Sequence, residues 1–271
     1  MFKTRLITGG ALFAVFIPAL FFARPVAFCL LIAAIMGCAA WEWARLLALK
    51  NKYCVSYAFG IGLLFFLLRH SGQSATHTLY LTATVFWLGI APLALIFLPK
   101  TRYSRRWRLL LLAAGPLILM VSGYALLDAR TFSPRFAFSI LLFVWAADSG
   151  AYIAGRRFGR HKLAPSISPG KSWEGALGGI LLALAAAFAL QDFEPSLLTG
   201  ALERLGLWGA CAALSALCIL SIVGDLFESL LKRQAGVKDS SALLPGHGGV
   251  LDRIDALLPV LPFAMWLVHG R

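Results

Sequence analysis

Nine long apolar runs separated by short charged connectors leave this chain very few folds. They lie near Thr8 to Ala23, Val26 to Leu49, Tyr53 to Leu68, Leu79 to Leu98, Leu109 to Leu127, Phe136 to Ala154, Gly175 to Leu190, Leu207 to Leu231 and Ala256 to Val268. A helix needs about 20 mainly apolar residues to cross the hydrocarbon of a bilayer. In lipid each segment must also satisfy its own backbone polar groups, which selects helices or closed barrels. With 60% hydrophobic and 14% charged residues and a mean hydropathy of +0.80, the chain lies far from soluble proteins, where about a quarter of residues are charged. The predicted fold class is all-α, a polytopic integral membrane protein of about nine transmembrane helices.

A net charge of +13 on a soluble chain would suggest a nucleic-acid partner, but the placement of the charges excludes that reading. The 25 Lys and Arg alternate in number from connector to connector, with 19 on one side and 6 on the other. By the positive-inside rule the richer side is cytoplasmic. The prediction is therefore a multi-pass protein of the cell inner (plasma) membrane, with its N-terminus in the cytoplasm and its C-terminus outside. Such a basic face also attracts anionic lipid. Cys29, Cys38, Cys54, Cys211 and Cys218 sit in or beside apolar runs with no Cys-x-x-Cys pair, as packing residues rather than disulfide or zinc partners. Lys3 and Arg5 precede the first apolar run, but Arg24 and Pro25 follow it where a cleavage site needs small residues, so a retained first helix is expected.

The N-terminal region, residues 1–135, reads as transmembrane helices that supply a lipid pocket and a dimer contact. The C-terminal region, residues 136–271, reads as the catalytic part, with a polar active site at its cytoplasmic side. Of the 12 acidic residues, seven fall in Trp145 to Gly175 and Ser221 to Asp255. Glu42, in Trp41-Glu42-Trp43, is the one acidic residue inside an early run; its expected partner is Arg45, three positions on. Lys100, Arg102, Arg105, Arg106 and Arg108 read as a topology signal and headgroup contact.

In the first polar stretch Asp148 and Tyr152 share a helical face. A carboxylate inside an apolar span costs up to about 2.5 to 3.5 kcal/mol, so it needs a partner. The helix runs into Gly155-Arg156-Arg157-Phe158-Gly159-Arg160-His161-Lys162 and then Ser168-Pro169-Gly170-Lys171-Ser172-Trp173-Glu174-Gly175. The second segment lacks the Walker spacing, and no strand is predicted before it. What it offers is a helix N-terminus at Ser172 with Lys171 beside it, which suits phosphate. In the second stretch Ser221, Asp225, Glu228 and Lys232 step by four, three and four, forming one polar stripe on an apolar helix. Asp252 and Asp255 add carboxylates at the start of the last run. Mg²⁺ takes one or two carboxylates plus substrate phosphates and water; Asp225 and Asp252 are the first choices, with Asp148 the third. Asp239 would orient Lys238 or a metal-bound water. His247 reads first as a phosphate donor, since phosphoryl chemistry needs charge neutralisation more than a base.

The run Ser229-x-Leu231-Lys232-Arg233, four residues, Lys238-Asp239-x-Ser241, two residues, Leu244-Pro245-x-His247-Gly248-Gly249-Val250-x-Asp252-Arg253-Ile254-Asp255 closely resembles the signature of the phosphatidate cytidylyltransferase (CDP-diacylglycerol synthase) family. The stretch Trp145 to Gly175 is similar to that family's other characteristic segment. Ala256 departs from the serine that many members carry. The resemblance implies CTP and phosphatidate as substrates, CDP-diacylglycerol and pyrophosphate as products, Mg²⁺ with a monovalent cation such as K⁺ beside it, and a homodimer. Catalytic roles would fall to Asp148, Lys171, Asp225, Lys232, Lys238, Asp239, His247 and Asp252. Lys171, Ser172, Lys232, Arg233, His247, Gly248, Gly249 and Arg253 would hold phosphates. Two rivals stand beside it. An organic-anion transporter predicts related repeats in the two halves, whereas the acidic clusters here are confined to one. A CTP-dependent enzyme acting on another lipid, such as a polyprenol kinase, would differ in its lipid pocket.

Overall fold

The computed structural model describes residues 2–70, 77–98 and 104–269. Each of the nine apolar runs lies on a helix. The first three are α1 (Phe2–Phe22), α2 (Pro25–Leu46) and α3 (Asn51–His70). The fourth is α4 (His77–Val85), one π-helical turn (Phe86–Ile90) and α5 (Ala91–Phe97). After α6 (Arg105–Phe132) and α7 (Pro134–Phe158) come strands β1 (Lys162–Ala164) and β2 (Ser168–Ser172). Helices α8 (Trp173–Ala189), α9 (Leu197–Ala235), α10 (Leu251–Ile254) and α11 (Leu257–His269) complete the chain. Among the described residues, six stretches are long and apolar enough to cross a membrane: Pro25–Leu46, Asn51–His70, His77–Phe97, Arg105–Phe132, Pro134–Phe158 and Leu197–Ala235. The apolar parts of α1 and α8 are shorter, and so is α11, with 13 residues. Lys100, Arg102 and Arg271 of the charge pattern lie outside the described residues.

Local sequence explains where the helices begin and break. Ser104, Ser133, Ser172 and Ser196 each cap the helix that follows, accepting the N–H of Trp107, Arg135, Gly175 and Thr199; such a side chain satisfies a donor that the first turn leaves open. A continuous helix of the length of α9 would run about 58 Å at 1.5 Å per residue, well beyond the hydrocarbon. It is broken at Gly206, with φ 66° and ψ −178°, a conformation only glycine adopts at little cost.

One expectation needs correction. The segment around Lys171 is strand β2, paired antiparallel with β1 so that Lys162 faces Ser172 and Ala164 faces Ser168. Among the described residues the fold is thus all-α apart from one two-stranded hairpin. Pro165, Pro169 and Gly170 interrupt helical periodicity, and the backbone groups of residues 162–172 pair with each other instead.

Lipid tails are as apolar as leucine, so helices in a bilayer associate through close packing rather than through hydrophobic expulsion. Helices α7 and α8 show this: a Cβ on Gly178 would lie 2.2 Å from Ala154 Cβ, and one on Gly150 would lie 2.5 Å from Gly178 O. Helix α11 sits inside the bundle against α4, α6, α7 and α9, with Leu258, Val260, Leu261, Phe263, Ala264, Met265 and Leu267 buried. Phe59 and Leu67 of α3, Leu110 and Leu117 of α6, and Leu177 and Leu181 of α8 are exposed, an apolar exterior suited to lipid. The helix entering the core is interrupted between α10 and α11. Irregular backbone is tolerated where protein surrounds it, and here the break leaves Asp255 buried and Asp252 partly buried, with Arg253 exposed.

Candidate active site

The polar stripe of α9 meets the hairpin and the α10 loop. Lys171 Nζ, at the end of β2, stands 2.6 Å from Asp225 Oδ2 and 3.4 Å from Ile222 O. Ser229 Oγ donates to Asp225 Oδ1 at 3.3 Å. One turn further, Lys232 Nζ lies 2.5 Å from Glu228 Oε2 and 2.7 Å from Asp252 Oδ1. Lys232, expected to hold phosphate, is also a partly buried counter-ion that joins α9 to α10. Glu228 and Asp252 are themselves nearly or largely buried, and without that ammonium they would be uncompensated charges in a low-dielectric interior.

Asp252 is held from its other side as well. Its Oδ2 accepts Ser240 N–H at 2.9 Å and Gly249 N–H at 2.8 Å, and lies 2.8 Å from Ser240 Oγ. Burial works to raise its pKa, but the bonds from Lys232 and from the Gly249 N–H hold it down at about 2. Asp255 is the opposite case: burial first, and then the charge of Asp225, push its pKa well above the usual carboxylate range, while Ala256 N–H donates to its Oδ1 at 2.8 Å. Two carboxylates three residues apart therefore differ because one collects donors and the other is enclosed.

The glycine turn is organised by its own backbone. His247 N–H donates to Leu244 O, Leu244 N–H to Gly248 O, and Gly249 N–H to Asp252, each at 2.8 Å. The N–H groups of residues 247 and 249 thus serve the loop itself. Lys238, Asp239 and Arg253 are exposed, and Asp239, His247, Gly248 and Arg253 line a cavity of about 540 Å³ beside the turn. Arg233 Nε donates to Ile167 O at 3.0 Å, tying the end of α9 to the hairpin.

Two further cavities meet at Asp148. The first, of about 550 Å³, is lined by Asp148, Arg156, Lys162, Lys171, Ser172 and Asp225. The second, of about 420 Å³, has a wall of Leu12, Phe16, Ile35, Met36, Leu126 and Leu261 from both halves of the chain and a polar end of Asp148, His247, Asp252, Arg253 and Asp255. Asp148 therefore shares one cavity with Asp225 and the other with Asp252. Among the described residues no three His, Cys, Asp or Glu side chains stand close enough together to hold a metal by themselves.

The expected partner of Glu42 is wrong. Glu42 is fully buried and accepts from Ser241 Oγ, Val250 N–H and Leu251 N–H, while Arg45 Nη2 donates to Ser240 O at 3.2 Å. An i,i+3 neighbour is the nearest partner in sequence, but both side chains on this face of α2 point into the signature loop. Sequence reasoning thus missed Glu42 and Ser240 as parts of the site. The signal was present, since an acid inside an apolar run requires donors, and the Ser-Ser pair of the loop was there to supply them.

Comparison with known proteins places the whole chain in a family. The cytidylyltransferase family profile matches residues 3–270. A phosphatidate cytidylyltransferase of Haemophilus influenzae is 39% identical, with 97% of each chain covered. One from Pseudomonas aeruginosa is 41% identical over 98% of this chain and 97% of its own, and one from Staphylococcus epidermidis is 42% identical over half of this chain. A family profile that spans nearly every residue, and relatives alike from end to end, place the signature in its context: the chain belongs to the cytidylyltransferase family.

Proposed function

We propose that this chain is a CTP:phosphatidate cytidylyltransferase of phospholipid biosynthesis, converting CTP and phosphatidate to CDP-diacylglycerol and pyrophosphate. The observation that supports it most directly is Asp148, which lines a polar cavity and an apolar-walled one at once. A soluble nucleotide and a membrane lipid need such a meeting point. The acyl chains would lie along Phe16, Ile35, Met36 and Leu126, with Arg253 and His247 at the lipid phosphate. The CTP phosphates would lie against Lys171, Arg156 and the first turn of α8 behind Ser172, where helix N–H groups suit anions.

An oxygen of the lipid phosphate attacks the α-phosphorus of CTP; that P–O bond forms as the bond to the β-phosphate bridge breaks, and pyrophosphate departs. The attacker is already ionised, so no side-chain nucleophile is required. Lys171 neutralises charge on the nucleotide, and Lys232 keeps Asp252 in place. The residues fit Mg²⁺, because Asp225 and Asp148 present hard oxygens to one cavity and Asp148 and Asp252 to the other, and one or two carboxylates suffice. Those three would hold it. When bound, Mg²⁺ supplies positive charge to the phosphates as pyrophosphate leaves.

The same proposal includes a monovalent cation such as K⁺ beside Mg²⁺, a homodimer, nine crossings of the inner membrane, and an active site facing the cytoplasm. The test is transfer of label from α-³²P CTP into a chloroform-extractable product by purified protein in detergent with phosphatidate and Mg²⁺. Lipid label with phosphatidate alone supports the proposal. Lipid label only from γ-³²P CTP with a polyprenol would replace it with a kinase, and no label under either condition would overturn it.

A further inference from the structure

Glu42 lies near the C-terminal end of α2, far in sequence from every residue it contacts. Its Oε1 accepts Ser241 Oγ at 2.5 Å and Val250 N–H at 2.9 Å. Its Oε2 accepts Leu251 N–H at 2.5 Å and lies 3.1 Å from Ser240 Oγ. A carboxylate has about four acceptor positions, and here four donor groups surround them. They come from both ends of one loop: Ser240 and Ser241 where it starts, Val250 and Leu251 where it closes.

Asp252 depends on the same two ends. Of the donors on its Oδ2, Ser240 is at the start of the loop and Gly249 at its close. The Ser240 hydroxyl, with one proton, stands between Glu42 Oε2 and Asp252 Oδ2. Arg45, one turn further along α2, holds Ser240 O. There is no slack in this junction, since a Cβ on Gly249 would lie 2.0 Å from Ser240 Oγ and 2.4 Å from Glu42 Oε1.

We propose that Glu42 is a positioning residue of the cytidylyl-transfer site: from the N-terminal half it clamps the mouth of the loop 240–251 and thereby sets the direction of the Asp252 carboxylate. Ser240 and Gly249 can both reach Asp252 only while the two ends of the loop stay together, and Glu42 is a group from another helix, outside the loop, that bonds to both ends. The catalytic part of this inference rests on the proposed function; the clamp itself does not.

The test uses the full chain in detergent as Glu42→Gln, which keeps the size but turns an NH₂ toward donors, and as Glu42→Asp, which keeps the charge and shortens the reach. Amide hydrogen exchange over 238–255 and steady-state kinetics are measured together. In Glu42→Gln, exchange at Ser240, Val250 and Leu251 is expected to rise about tenfold or more while α3 and α6 stay protected. Its kcat is expected to fall about 10- to 100-fold, as for other partners that orient a ligand side chain, with both KM values nearly unchanged. Glu42→Asp should recover part of both effects. Unchanged exchange would overturn the clamp. Faster exchange with unchanged kcat per folded enzyme would overturn the positioning role. A wild-type protein without transferase activity would overturn the proposed function instead, and exchange would then decide the clamp alone.

Discussion

Lys171 Nζ and Asp225 Oδ2 stand 2.6 Å apart, joining the end of the β-hairpin to the middle of α9. This one ion pair brings together the two polar stretches of the sequence and forms part of the wall of the cavity that Asp148 shares. Both side chains remain partly open, so in the proposed reaction Lys171 can exchange its contact with Asp225 for a substrate phosphate at little cost.

Asp225→Asn is expected to abolish cytidylyl transfer while the protein still inserts in the membrane. Lys171→Met is expected to lower turnover on the order of 100-fold, the range for losing one group that stabilises developing charge. The double variant should lose far less than the product of the two effects, because the side chains are in contact. Near-wild-type turnover of Asp225→Asn, measured on protein shown to be in the membrane, would remove it from the site.

Removing divalent cations tests the carboxylates as a set. Chelation with EDTA is expected to stop label transfer, and added Mg²⁺ to restore it. In Asp252→Asn, Lys232 loses one of its two ion-pair partners and keeps Glu228, and excess Mg²⁺ should not recover full activity. Transfer that persists in EDTA would exclude the metal from the proposed function.

Gly178→Val tests the α7 and α8 contact. Its side chain must occupy space where a Cβ already lies 2.2 Å from Ala154 Cβ, so the helices have to separate. Overpacking of this kind costs about 1 to 3 kcal/mol, read as a lower midpoint of thermal unfolding in detergent. An unchanged midpoint would show that the two helices can part without loss.

The proposed nine crossings would put the two termini on opposite sides of the membrane. Reporter fusions at each end are expected to place the N-terminus in the cytoplasm and the C-terminus outside. Both termini on one side would mean that one of the short helices, α1, α8 or α11, does not cross.

The sequence by itself determined where the apolar helical runs lie, the membrane as their solvent, the stripe of Asp225, Glu228 and Lys232, and the resemblance of the signature. All of these depend on hydropathy or on spacing along one helix, which are local properties of the chain. The sequence did not reveal that residues 162–172 pair as strands, because Lys-Leu-Ala and Ser-Pro-Gly-Lys-Ser carry no alternation strong enough to show it. Only the tertiary structure decided the partners. It placed Lys171 on Asp225, Lys232 between Glu228 and Asp252, Asp148 at the junction of two cavities, and Glu42 on the signature loop instead of on Arg45. A buried charge demands a partner wherever it sits, but which donor meets it is set by how the helices pack.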